Sequence, residues 1–92
     1  MLELSGKARI YSYPCSIEDS LASDEIEAEL VFGARSIFVL APSSIVDMHN
    51  KTIQVFIFGQ SKDTILVGLP GEVENAGQTI KVHVADFNGG KI

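Results

Sequence analysis

Six short stretches rich in β-branched and aromatic residues, each closed by turn-forming residues, fill most of this 92-residue chain and leave it few folds. They are Lys7–Tyr13, Ile26–Phe32, Ser36–Ala41, Thr52–Phe58, Thr64–Leu69 and Thr79–Ala85. Gly33-Ala34, Asn50-Lys51, Pro70-Gly71, Asn75-Ala76-Gly77 and Asn88-Gly89-Gly90 separate or end them. Glycine and asparagine tolerate the positive φ of tight turns, and proline lacks the amide hydrogen that would continue a ladder. Strands at such spacing, without long helical stretches between them, predict an all-β fold. The expected form is a small, strongly bent antiparallel barrel of five or six strands. The length fits a single domain over residues 1–92, since domains commonly hold about 100–150 residues.

Alternation within the strands assigns faces. Lys7, Arg9, Tyr11 and Tyr13 share one face of the first strand, with Ala8, Ile10 and Ser12 on the other. Ile26, Ala28, Leu30 and Phe32 point inward, Glu27 and Glu29 outward. Ser36–Ala41 and Thr64–Leu69 are apolar on both faces, as central or covered strands are, and Gly68 is expected at a bulge or bend. In Thr52–Phe58, Ile53, Val55 and Ile57 alternate with Gln54, Phe56 and Phe58. Phe38, Phe56 and Phe58 therefore fall on faces the core does not use, and another copy of the chain is their expected cover, which predicts a homo-oligomer. Lys81 and His83 face outward, where cross-strand pairs with Glu27 and Glu29 are expected. Ser16–Ser23 reads as a short helix or an acidic loop: Ser16 can cap, Glu18 and Asp19 suit a first turn, and Ile17 and Leu21 share a face. Asn88–Ile92 reads as a tail.

Charge narrows the choice of partners. Twelve acids against seven bases leave a net charge of −5, and no base lies between Arg9 and Arg35, where Glu18, Asp19, Asp24, Glu25, Glu27 and Glu29 gather. Phosphate binding needs clustered bases, so duplex DNA is disfavoured; an acidic surface is either simply solvated or suits a basic partner. No apolar run approaches the ~20 residues of a membrane span, so no membrane partner is expected. Met1-Leu2-Glu3-Leu4 lacks the basic start of a secretory signal, and the expected location is the cytoplasm. Host and viral proteins look alike at this level.

Reactive side chains are sparse. Cys15 is the only cysteine, which excludes an internal disulfide and a cysteine-rich zinc site. Cys15 with His49 or His83, oriented by Asn50, Asn75 or Asp86, is the one nucleophile–base combination available, and nothing in the spacing brings the pair together. The histidines stand apart, the acids lack calcium-loop spacing, and no glycine-rich phosphate motif occurs. The chain is therefore read as a non-enzyme without metal or cofactor. Tyr11 and Tyr13, beside Lys7 and Arg9, offer a face that can stack nucleic-acid bases or can pack within the fold.

Gly33-Ala34-Arg35, Asp47-Met48-His49-Asn50 and Leu69-Pro70-Gly71-Glu72, within roughly residues 26–75, together resemble motifs of the Sm/Lsm family of small bent barrels. Gly33-Ala34-Arg35 matches a hairpin glycine followed by a basic residue. Asp47-Met48-His49-Asn50 looks like the family's Asp-x-x-Met-Asn loop, shortened by one residue. Leu69-Pro70-Gly71-Glu72 matches an aliphatic–Arg–Gly–Asp/Asn turn, with proline in place of the arginine. The resemblance implies edge-to-edge rings, and a pocket for RNA bases formed here by Asp47, Asn50 and Gly71. Because Pro70 removes the cation of that pocket, the resemblance implies ring formation more than RNA binding.

Overall fold

The computed structural model describes residues 3–18 and 24–88, with side chains from Arg9 onward. In chain order the strands are β1 (Glu3–Pro14), β2 (Ser16–Ile17), β3 (Glu25–Phe32), β4 (Arg35–Pro42), β5 (Val46–Asp47), β6 (Thr52–Gln60), β7 (Thr64–Gly68), β8 (Glu72–Val73) and β9 (Thr79–His83). Short 3-10 turns lie at Ser43–Ile45 and Val84–Asp86. The fold is all-β, and each of the six segments expected from the sequence contains a strand.

The strands form two antiparallel sheets rather than the expected barrel. One runs β1-β6-β7-β9 with β5 also beside β6, and the other runs β2-β3-β4-β8. Among the described residues no ladder joins the two sheets, so the architecture is an open two-layer sandwich. The reason is local. The chain changes sheets at Pro14-Cys15, at the turn after β4, at Leu69-Pro70-Gly71 and again after β8, so strands switch layers before one sheet can curl closed. The short helix or acidic loop expected over Ser16–Ser23 is corrected at its start. Ser16 and Ile17 pair with Glu29 and Ala28 as β2, while residues 19–23 lie outside the described residues.

Both sheets turn alternate side chains into one core. Ala28, Leu30, Ile37 and Val39 come from the smaller sheet, and Ile53, Val55, Ile65 and Val67 from the larger. Burying each of the valine, leucine and isoleucine side chains contributes about 1.5–3 kcal/mol relative to exposure. A direct consequence is that the outward faces lie on opposite sides of the molecule. Lys81 and His83 on β9 therefore cannot meet Glu27 and Glu29 on β3, as the sequence reading expected.

Four aromatic rings close one end of the core. Tyr13 stacks on Phe32 with centroids 4.7 Å apart, and Phe87 meets Tyr13 at 4.9 Å and Tyr11 at 5.1 Å. The Tyr13 hydroxyl donates to the Val31 carbonyl at 2.7 Å and accepts from the Asn88 amide at 3.0 Å. The Asn88 side-chain amide donates to the Tyr11 hydroxyl at 3.0 Å. Asn88, read from sequence as the start of a tail, is thus part of the closed end; residues 89–92 lie outside the described residues.

Asn75 protects an edge. Its amide oxygen accepts from the Phe38 N–H at 3.0 Å and its nitrogen donates to the Ser36 carbonyl at 2.8 Å, so one side chain continues the two-residue strand β8 along β4. Asn75→Ala is expected to cost about 1–3 kcal/mol, from two net hydrogen bonds of roughly 0.5–1.5 each, and to raise aggregation through the bared edge. Urea unfolding and turbidity check this; an unchanged midpoint and clear solutions would contradict it.

Candidate functional site

Neither outward face is an ordinary polar surface. On the larger sheet, Ile10 is 64% exposed and lies directly opposite Phe56 on β6. Phe56 stands opposite Gly68, and the Phe58 ring rests on that glycine where a Cβ would otherwise sit. Gly68 is therefore the floor beneath an aromatic ring. Phe56 and Phe58 stack at 6.1 Å with ring planes 18° apart, and half-buried Leu66 adjoins them from β7. Phe56 and Phe58 are half-buried rather than covered. The outward positions of β1, β6, β7 and β9 among the described side chains hold no acid, and Lys81, opposite Leu66, and His83 supply the rim.

The smaller sheet differs in charge. Glu29 lies opposite Phe38, Glu27 opposite Leu40, and Leu40 in turn opposite Glu72. The Glu18 amide donates to the Glu27 carbonyl, which sets Glu18 across from Glu27. Glu25 continues the row, and the outward positions of β2, β3, β4 and β8 hold no lysine or arginine. Like charges opposite one another on a sheet are destabilising. This face has an apolar centre, half-buried Phe38 and Leu40, inside an acidic field.

The loop expected to bind RNA bases is turned onto itself. Met48–Lys51 joins β5 to β6, and the Asp47 carboxylate accepts from the His49 amide at 3.0 Å, the Asn50 amide at 3.0 Å and the Asn50 side chain at 2.8 Å. These bonds, chiefly from Asn50, hold the Asp47 carboxyl below its usual range. Its stabilising effect is present above that range and is lost as pH falls through the lowered value. Gly71, the third residue of the implied pocket, packs against Leu40 and Ala41 of β4 instead. Tyr13 is only 2% exposed and Tyr11 is half-buried, so the tyrosine face of β1 points into the fold and offers no open stacking platform.

Cys15 lines a groove of about 440 Å³ together with Tyr13, Glu29, Gly33, Asp86 and Asn88. No histidine lines it. His83 belongs to a second groove with Arg35 and Lys81, and Asp86 borders both. The nucleophile–base pair that the sequence allowed is therefore not brought together. Among the described residues no group of three or more His, Cys, Asp or Glu side chains is placed to hold a metal ion. Compared with family models, curated proteins and solved structures, the chain matches none. Among the described residues no helix is long and apolar enough to cross a membrane.

Burial raises the Cys15 thiol above its ordinary 9.0, and burial is also the largest influence raising the Tyr13 hydroxyl above 10.0. The folded state holds both protons more tightly than the unfolded chain. The stability they contribute is therefore complete below the ordinary values and lost as pH rises past them. Thermal melts should fall above pH 9 and more steeply above pH 10, with Tyr13→Phe flattening the upper part. A profile equally flat in wild type from pH 8 to about 11 would contradict this reading.

Sequence reasoning missed Phe87, the ring that seals the aromatic end, because it stands alone beyond the last expected strand. Its one signal was its place next to a turn asparagine. Ile10 was missed as a surface residue because alternation assigns it a face without saying which face is wet.

Proposed function

We propose that this protein is a non-enzymatic β module, working in the cytoplasm, that assembles with copies of itself through its outward sheet faces. The carrying observation is the contiguous apolar patch of Ile10, Phe56, Phe58 and Leu66 on the outward face of the larger sheet. Patches of this kind mark contact surfaces on otherwise soluble domains. The lone half-buried cysteine agrees with a reducing compartment.

The Sm-like resemblance belongs to the same proposal and implies rings closed edge to edge. The 12-residue β1 lies at the end of its sheet and supplies an edge for such pairing. Apolar side chains, in contrast, sit on the faces, and the proposal follows the faces. RNA binding draws less support, since Asp47 is engaged by Asn50 and Tyr13 is buried. Salt-sensitive retention of short U- or A-rich RNA, lost in Asn50→Ala, would favour it over assembly.

The test is Phe56→Glu. Phe56 is half-buried, so the variant should fold, and a carboxylate in the middle of the patch should shift elution from oligomer to single chain. An elution volume equal to that of an oligomeric wild type would remove this face from the interface.

A further inference from the structure

The two outward faces are unlike, and their difference specifies how copies would meet. One presents Ile10, Phe56, Phe58 and Leu66 with Lys81 and His83 at its rim. The other presents Phe38 and Leu40 among Glu27, Glu29 and Glu72. Resting on the proposal of self-assembly, we infer that copies stack head to tail, the aromatic face of one copy seated on the acidic face of the next.

Complementarity carries the choice. Pairing acidic face with acidic face would oppose two rows of carboxylates, which is strongly unfavourable. Pairing aromatic face with aromatic face would set Lys81 and His83 near their own copies and leave Phe38 and Leu40 uncovered in both molecules. The head-to-tail contact instead covers both apolar centres and brings Lys81 toward the carboxylates beside Phe38. Asp47, hydrogen-bonded within its own loop at the far end of the aromatic face, leaves that face one carboxylate against the row on the other. Because the faces lie on opposite sides of the sandwich, successive copies are related mostly by translation. Such a heterologous contact grows as an open stack rather than closing into a small ring.

Mixing two blocked chains tests the inference. Phe56→Glu spoils the aromatic face and keeps the acidic one; Phe38→Lys spoils the acidic face and keeps the aromatic one. Each variant alone should elute as a single chain, and an equimolar mixture should yield a 1:1 complex of twice that mass and nothing larger. Circular dichroism confirms folding, and Ile10→Glu with Glu29→Lys repeats the experiment at sites that are exposed or half-exposed. If wild type assembles but the mixture gives no complex, or Phe38→Lys assembles alone, head-to-tail stacking is overturned while self-assembly stands. A wild type that is a single chain at every concentration overturns both.

Discussion

Gly71→Ala should destabilise the fold by about 3 kcal/mol, combining roughly 1–2 for a left-handed non-glycine backbone with about 1–3 for steric overlap. Gly71 has φ +64°, and a Cβ there would fall on the Leu40 carbonyl oxygen, with the Ala41 Cα and Leu40 carbonyl carbon each 2.9 Å away. All three atoms are backbone of a paired strand, so nothing nearby can rotate aside. The position cannot move either. Pro70 is buried just before it, and the Gln78 side chain donates to the Leu69 and Gly71 carbonyls at 3.1 Å each, fixing the crossing between sheets. For a domain of this size the thermal midpoint should drop by roughly 12–24 °C. Gly33→Ala is the matched control. Its φ is also +64°, but the obstructing group is the Asp86 carboxylate at 2.6 Å, the end of an exposed side chain that can swing away. It should lose only the backbone share, about 1–2 kcal/mol. Equal losses at the two glycines, or a Gly71→Ala chain within about 0.5 kcal/mol of wild type, would show that the crossing is not held as described.

Phe87→Ala should cost about 3–5 kcal/mol, a large part of the roughly 5–15 that holds a domain together. The ring is fully buried among Tyr11, Tyr13 and Phe32, and its removal leaves a hole that rigid neighbours cannot fill. The damage should spread. Asn88 follows directly and supplies the amide that the Tyr13 hydroxyl accepts, so loosening Phe87 also strips the tyrosines of partners. Tyrosine fluorescence and urea unfolding both report on this end of the core. Phe87→Leu, which keeps most of the volume, should recover more than half of the loss. An alanine variant with wild-type unfolding would mean that the end is closed by something other than this ring.

These positions show what a sequence can reveal and where it stops. Period-two alternation exposed the inward residues of β3, β6 and β9, because a half-buried strand must alternate. It could not show that the strands divide between two sheets. That division depends on crossings made by two-residue strands such as β2 and β8, too short to carry a period. Nor could alternation say which side of β1 faces the core. The answer comes from Asn88, whose bonds reach Tyr13 and Tyr11 across 75 and 77 positions. The phenylalanines Phe38, Phe56 and Phe58 were legible as outward residues, and they are half-buried on the two outer faces. The Asp47–Asn50 loop was legible as a turn, but a list of polar residues does not tell that their hydrogen bonds point at one another. The opposition of an acidic face and an aromatic face emerges only once β3 and β9 are assigned to different sheets.

The central claim is that these faces join copies of the chain, and absolute mass in solution tests it most directly. Light scattering across a size-exclusion peak should give multiples of one chain, with the average mass rising as loading concentration increases. The mass of a single chain at every concentration would contradict the claim.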